Sequence, residues 1–211
     1  MRAFLALTLF AAACSSSSPE GGPSYDSVRD RLADGQTRML VTSAVSTGSI
    51  TAKRRAGDGW TEGTTPVTIE SGEVAAKVDA KGNLTVDKLT VALADIEIPE
   101  DVFKKPAQLT DLRVSLPKPV TADATSWTSD DDATTTLTLA LDFDWAIHVN
   151  GGSTPLATQH MPPVTVNVML TGAGDHIDAS ASLSATGELW NWADLIEMTQ
   201  LDLSLSASTN D

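Results

Sequence analysis

Apolar and polar residues alternate along most of the chain. In residues 137–149, LTLALDFDWAIHV, every odd position is apolar, and the even positions hold Thr, Ala, Asp and His. A period of two is typical of a β-strand with one buried face and one exposed face. The pattern predicts strands at 38–45, 48–54, 66–71, 73–80, 83–98 with a break, 109–116, 134–149, 163–171, 176–186 and 200–207.

Turn and helix signals punctuate these strands. ESGE at 70–73 and AKGN at 80–83 predict hairpin turns, because glycine supplies the positive φ that tight turns need. The alternation slips near Asp87–Lys88, which predicts either a β-bulge or two successive short strands. Helical spacing predicts one short helix over 25–35, from an N-cap at Ser24 to a stop at Gly35, and a second around 188–198.

The fold class that follows is mainly β. We expect an antiparallel β-sandwich, or a curved half-barrel of long strands, with one or two short helices. Residues 25–211 form a single β-rich domain in this interpretation. Two quasi-repeats, about 36–118 and 134–211, are the alternative, because VAAKVDAKGNL (74–84) aligns without a gap on ASASLSATGEL (179–189). The alanines at inward positions of 179–189 are small and leave space beside them. Either side chains from facing elements fill this space or it remains a cavity.

The N-terminus predicts export. Residues 1–13, MRAFLALTLFAAA, have the basic start and short apolar core of a signal peptide. The only cysteine, Cys14, follows three alanines and precedes SSSSPEGGPS, so this segment resembles the lipobox of bacterial lipoproteins. The resemblance implies acylation of Cys14, a flexible tether over 14–24 and attachment to a membrane through the acyl anchor. An ordinary secreted protein with a chance cysteine is the alternative.

The same resemblance predicts where the protein resides. Ser15 after the acylated cysteine is similar to lipoproteins sent to the outer membrane, if the bacterium has two membranes. The expected location is therefore the cell envelope, on the periplasmic side or at the surface. With Cys14 acylated, no disulfide remains to stabilise the domain, which must be held by its core.

Negative charge is concentrated in the second half of the chain. The formal net charge is −14, and all 14 Lys and Arg residues lie at or before Lys118. An acidic surface repels phosphates, which argues against nucleic acid as a partner. The alternatives for this half are a solvated surface, or a module that docks a basic partner or Ca²⁺.

Acidic residues supply the candidate metal or hydrolytic groups. Asp142, Asp144 and His148 share one face of a predicted strand, and spacing two apart permits a Ca²⁺ site or a hydrolytic carboxylate pair. Asp130, Asp131 and Asp132 form a second, weak Ca²⁺ candidate on a loop. A solvent-facing role explains both groups more simply, and the histidines lack the spacing of a structural zinc site.

Tryptophans are the candidate ligand contacts. Trp145, Trp190 and Trp192 offer aromatic surface for acyl chains or sugars. The sequence contains no G-x-S-x-G and no phosphate-binding glycine loop, and SLPK (115–118) matches Ser-x-x-Lys only at a predicted strand end, where Pro117 argues against the helix that this motif needs. We therefore predict a non-enzymatic envelope lipoprotein without a cofactor, which binds a lipid or small hydrophobic ligand. The alternatives are an interaction module that uses the acidic half, and a hydrolase that uses Asp142 or Asp144.

Overall fold

The structure, a computed structural model, describes residues 25–56, 58–98, 105–173, 176–192 and 195–209. The predicted signal peptide, Cys14 and the tether lie outside these ranges, as does Ser24. Within them, no helix is long and apolar enough to span a membrane.

One helix and sixteen strands follow each other along the described chain. They are α1 (Val28–Asp34), β1 (Thr37–Val41), β2 (Thr47–Ala56), β3 (Gly59–Val67), β4 (Ile69–Val78), β5 (Leu84–Leu93), β6 (Ile96–Ile98), β7 (Ala107–Ser115), β8 (Val120–Thr121), β9 (Thr125–Trp127), β10 (Ala133–Leu139), β11 (Asp142–Val149), β12 (Gly152–Ser153), β13 (Ala157–His160), β14 (Val164–Ala173), β15 (His176–Trp192) and β16 (Ile196–Ser208).

The strands build one open antiparallel sheet that encloses the core. Its order is β12-β11-β7-β5-β4-β1-β16-β15-β14-β10-β9. Four sets of strands lie off this path: β2 and β3 extend from β16, β6 pairs with β7, β8 with β5, and β13 with β11. The chain passes directly from β10 to β11, which lie near opposite ends of this order, so the sheet must curve back on itself. The predicted mainly β fold is confirmed, and of the two predicted short helices the described residues contain the first.

The longest strands, β15 and β16, form the central hairpin of the sheet. β16 pairs with β15 on one edge, and on its other edge with β2 over residues 196–204 and with β1 at Ala207 and Ser208. A bulge at Thr199 shifts the alternation of β16, because Met198 pairs with Ala52 and Gln200 with Thr51. The bulge lets Met198 and Leu201 both be buried.

Helix α1 packs on the sheet through two apolar residues. Val28 and Leu32 are fully buried, as the helical spacing in the sequence indicates. The N-cap is Ser27, whose Oγ accepts a hydrogen bond from the N–H of Asp30 at 3.1 Å, so the predicted cap at Ser24 was wrong. The predicted stop at Gly35 is the C-cap.

The sequence correctly predicted the β4–β5 turn and the bulge that follows it in β5. Gly82 has φ +82°, and the Asp79 carboxylate accepts hydrogen bonds from the N–H groups of Lys81 and Asn83 at 2.8 and 2.9 Å. These hydrogen bonds hold the pKa of Asp79 below its usual value. In β5, Asp87 is the extra residue between Val86 and Lys88, which confirms the predicted bulge and gives the Leu84–Leu93 strand its change of phase.

The predicted turn at 70–73 was wrong, because β4 runs straight through it. Gly72 lies inside β4, where an added Cβ would be 2.7 Å from Val41 Cγ2 and 2.8 Å from the backbone oxygen of Thr90. Glycine is needed here because it has no side chain and so allows the neighbouring strands to approach closely, not because the chain reverses direction.

Two further predictions, the single strand at 134–149 and the helix at 188–198, are wrong because the sheet is irregular at these positions. Residues 134–149 form two strands, β10 and β11, because the chain crosses between distant strands of the sheet after Leu139. The predicted helix at 188–198 is also wrong, because Glu188 to Trp192 belong to β15 and Ile196 to Met198 belong to β16. The pairing register shifts between Thr186 and Trp190, so buried Leu189 and Ile196 follow a spacing that resembles a helix.

The inward alanines of β15 face a nearly filled core. Ala179 and Ala181 line an apolar void of about 60 Å³ together with larger side chains such as Met39 and Leu137. The two segments of the sequence alignment take different structures. Residues 74–84 span β4, a turn and the start of β5, whereas 179–189 lie within β15, although Gly82 and Gly187 both have positive φ.

We expect Gly72→Ala to destabilise the protein, because the new methyl group would overlap Val41 and the Thr90 carbonyl. Overpacking of this kind costs about 1–3 kcal/mol in the free energy of unfolding, measured by urea titration. Gly63→Ala is the matched control in β3, since its Cβ would have nothing within 4 Å. It should leave stability unchanged or raise it by up to about 1 kcal/mol. Equal stability of the two variants would contradict the close approach at Gly72.

Candidate ligand-binding cleft

A partly open apolar cleft of about 220 Å³ lies between the β2–β3 hairpin and the β6–β7 pair. The N-terminal part of β16 completes its wall. Within the described residues β3 pairs only with β2, and β6 only with β7, so the cleft lies where the sheet does not close. Its apolar lining comprises Ile50, Ala52, Ile96, Ile98, Leu109, Ile196 and Met198.

The strand register places these side chains on one face of the sheet. Cross-strand partners share a face, and three successive rows run across β16, β2 and β3. The rows are Ile196–Arg54–Thr61, Met198–Ala52–Gly63 and Leu201–Ile50–Thr65. Ile96 and Leu109 form a further pair on the facing strands β6 and β7. The apolar lining is therefore a consequence of period-two alternation in strands that are distant in sequence.

Arg54 brings a positive charge to this face. Its Nε is shielded from solvent, and the residue lies in the row at one end of the cleft, beside Thr61. Glu62 and Glu97 also border the cleft, but each alternates onto the opposite face of its strand. Glu62 pairs with Lys53, and Glu97 pairs with Gln108, which in turn pairs with exposed His148.

The structure gives Asp142 and Asp144 separate neighbours on the outer face of β11. The Oδ1 of Asp142 lies 2.5 Å from Nδ1 of His160, and the Oδ1 of Asp144 accepts a hydrogen bond from Thr158 Oγ1 at 2.6 Å. His148 lies further along the strand, opposite Ser153. These contacts join each carboxylate to the neighbouring strand β13 and do not join the two carboxylates to His148.

The loop with Asp130, Asp131 and Asp132 caps helix α1 from a distance of about one hundred residues in sequence. Asp131 Oδ1 accepts a hydrogen bond from the N–H of Val28 at 3.0 Å, and the backbone oxygen of Asp130 accepts one from Arg29 at 3.0 Å. The Oδ2 of Asp132 accepts a hydrogen bond from Ser129 Oγ at 2.8 Å. The loop therefore satisfies the free N–H groups at the helix start.

In the part of the chain that the structure describes, no group of three or more His, Cys, Asp or Glu side chains is arranged to hold a metal ion. This holds for both acidic clusters singled out in the sequence.

Of the three tryptophan candidates, the structure describes the side chain of Trp145, which is not among the residues that line the cleft. Trp145 is partly buried and packs against the core on β11. The side chains of Trp190 and Trp192 lie outside the described part of the structure, although their backbones belong to β15. Another tryptophan, Trp127, donates its Nε1–H to the carbonyl of Gly82 at 2.8 Å, with the Arg29 guanidinium 5.5 Å from its ring.

Sequence reasoning did not identify the cleft. Its residues come from five strands, and the alternation predicts no strand over most of one of them, β3 (Gly59–Val67). The one available signal is Arg54, a charged residue in phase with Ile50 and Ala52 on an inward-facing row.

Comparison with known proteins adds no assignment. No protein-family model matches the chain, and no curated protein is significantly similar to it.

We expect Asp131→Ala to destabilise the docked helix, because the N–H of Val28 loses its acceptor. Loss of a helix N-terminal acceptor costs about 0.5–2 kcal/mol in the free energy of unfolding, measured by urea or thermal denaturation. Asp130→Ala is the matched control. That side chain is 73% exposed, and its ion pair with Arg29 is 3.6 Å long, so its removal should change little. If the two variants were equally stable, the capping role of Asp131 would be excluded.

Proposed function

We propose that the protein is a lipid-anchored lipoprotein of the bacterial envelope that binds one small hydrophobic or amphipathic molecule and catalyses no reaction. The observation that carries the proposal is the apolar cleft between β2–β3 and β6–β7. The lipobox-like segment that ends at Cys14 supplies the location.

The dimensions of the cleft favour a small ligand. An engineered apolar cavity of roughly 150 Å³ holds benzene, and pockets for drug-sized molecules span roughly 300–1,000 Å³. At about 220 Å³ the cleft lies between these sizes. One acyl chain of moderate length fits this scale better than a phospholipid with two chains.

Exposure of the cleft face supplies the driving force. Thr61, Gly63 and Thr65 of β3 are exposed, and Ala52 and Ile96 remain partly accessible to solvent. A ligand that covers these groups removes apolar surface of both the ligand and the protein from water. Each methylene buried contributes about 0.8 kcal/mol, which corresponds to about a fourfold gain in affinity.

Binding of neutral alcohols tests this proposal. We expect octanol, decanol and dodecanol to form 1:1 complexes with the purified Cys14→Ser protein, observed by native mass spectrometry and calorimetry. Affinity should rise about fourfold per methylene until the chain is longer than the cleft. Gly63→Phe should weaken binding at least about tenfold, because its ring enters open space in the cleft and displaces the alcohol.

Thr64→Phe is the matched control, since the same ring is placed on the opposite, exposed face of β3. It should bind the alcohols as the parent protein does. Absence of alcohol binding, or equal binding by the Gly63→Phe and Thr64→Phe variants, would exclude the cleft as the site.

The anchor has its own test. We expect Cys14→Ser to move the protein from the membrane fraction to the soluble fraction of the envelope, because no acyl chain is attached. Metabolic labelling with palmitate, followed by fractionation, measures both changes. Labelling that persists after Cys14→Ser would contradict acylation at this residue.

A further inference from the structure

We propose that the cleft is closed at one end and selects its ligand by chain length, and that Val67 and Leu203 are the residues that set the limit. The ligand class is then a single-chain amphiphile of moderate length that enters with its tail first. This inference rests on the proposed function, because it concerns what the same cleft accepts.

The two ends of the cleft differ in burial. At one end, Arg54 is partly exposed and its cross-strand neighbour Thr61 is exposed. Towards the other end, the same face of β2 carries Gly48, which pairs with Leu203 of β16 and with Val67 of β3. Both of these side chains are buried, and neither lines the cleft. The apolar face of the sheet therefore continues past this end, but the open space above it does not.

Two glycines on this face show where the space ends. A Cβ at Gly63, which lies in the middle of the cleft, would have nothing within 4 Å. A Cβ at Gly48 would lie 2.7 Å from Val67 Cγ2 and 2.8 Å from Leu203 Cδ2. The strands β3 and β16 flank β2, so these two methyl groups approach each other over Gly48 from opposite sides. They occupy the position where a bound chain would otherwise continue.

The length of the open part determines how long the chain can be. The cleft extends along β2 from Arg54 to Ile50, and four residues of strand correspond to roughly 13 Å. An extended chain of about ten carbons has a comparable length, given carbon–carbon bonds of about 1.5 Å in a zigzag. A longer chain meets Val67 and Leu203, so its additional methylenes stay in water and add no affinity.

The closed end also determines the orientation of the ligand. Val67 and Leu203 offer no hydrogen-bond partner, so a polar head group placed against them would lose its water without compensation. At the other end, the Thr61 side chain is exposed and the head group keeps its contact with solvent. The tail therefore points towards Gly48 and the head group lies beside Thr61.

The test measures the affinity of straight-chain alcohols as a function of chain length, by native mass spectrometry and calorimetry. With the Cys14→Ser protein, affinity should rise about fourfold per methylene from octanol to decanol. Dodecanol and tetradecanol should then bind within about twofold of decanol, because their last methylenes find no space. Val67→Ala removes two methyl groups at the closed end, so dodecanol should bind this variant at least about fivefold more tightly than decanol.

Val78→Ala is the matched control, because it removes the same two methyl groups from a similarly buried valine, 7% exposed against 6% for Val67. Val78 is the last residue of β4 and does not line the cleft, so this variant should keep the limit near decanol. Leu203→Ala opens the closed end from the β16 side, and should favour dodecanol as Val67→Ala does. It replaces Val67→Ala if that variant does not fold.

The outcomes separate this inference from the proposed function. If Gly63→Phe abolishes alcohol binding but affinity for the parent protein rises steadily through tetradecanol, the cleft remains a binding site and the closed end is overturned. The same conclusion follows if Val67→Ala and Val78→Ala show the same limit. If none of the alcohols binds, both proposals fail.

Discussion

The two-sided pairing of β16 is the constraint on which the rest of the structure depends. β15 covers one edge of this strand, while β2 and β1 divide the other edge between them. The bulge at Thr199 allows this one strand to contribute to two regions, with Met198 in the cleft wall and Leu203, Leu205 and Ala207 in the enclosed core. Without the added residue, one of these two apolar sets would point to solvent.

Features that depend on neighbouring residues could be predicted from the sequence. The alternation in 137–143 correctly identified the buried Leu137, Leu139, Leu141 and Phe143, because one buried face requires a period of two. Glycine in AKGN (80–83) marked the turn after Asp79, and the change of phase near Asp87 marked a real bulge. The helix over Val28–Asp34 followed from its apolar stripe and from Gly35.

Features that depend on distant strands could not be predicted. Gly72 is needed because Val41 and Thr90 approach it, and neither is a neighbour in sequence. Bulges in β15 and β16 imitate helical spacing, since the added residues separate buried positions by four (Ala185 to Leu189) and by three (Met198 to Leu201). Asp131 looked like a calcium ligand because its real partner, the N–H of Val28, is a backbone group 103 residues away. The cleft required the pairing of five strands before its residues could be assigned to one face.

The two faces of the sheet differ in how their polar groups are satisfied, and this difference supports the choice of the proposed binding site. On the outer face, Asp142 and Asp144 contact His160 and Thr158 on the neighbouring strand, so local pairs satisfy the side chains that suggested chemistry. On the inner face, apolar rows end at the open edges β3 and β6, where no described strand covers them. An unclosed sheet exposes apolar surface at a cost in free energy that a bound molecule recovers. The open edges β3 and β6 of the described sheet, rather than a cluster of reactive groups, are therefore what favours the proposed binding site.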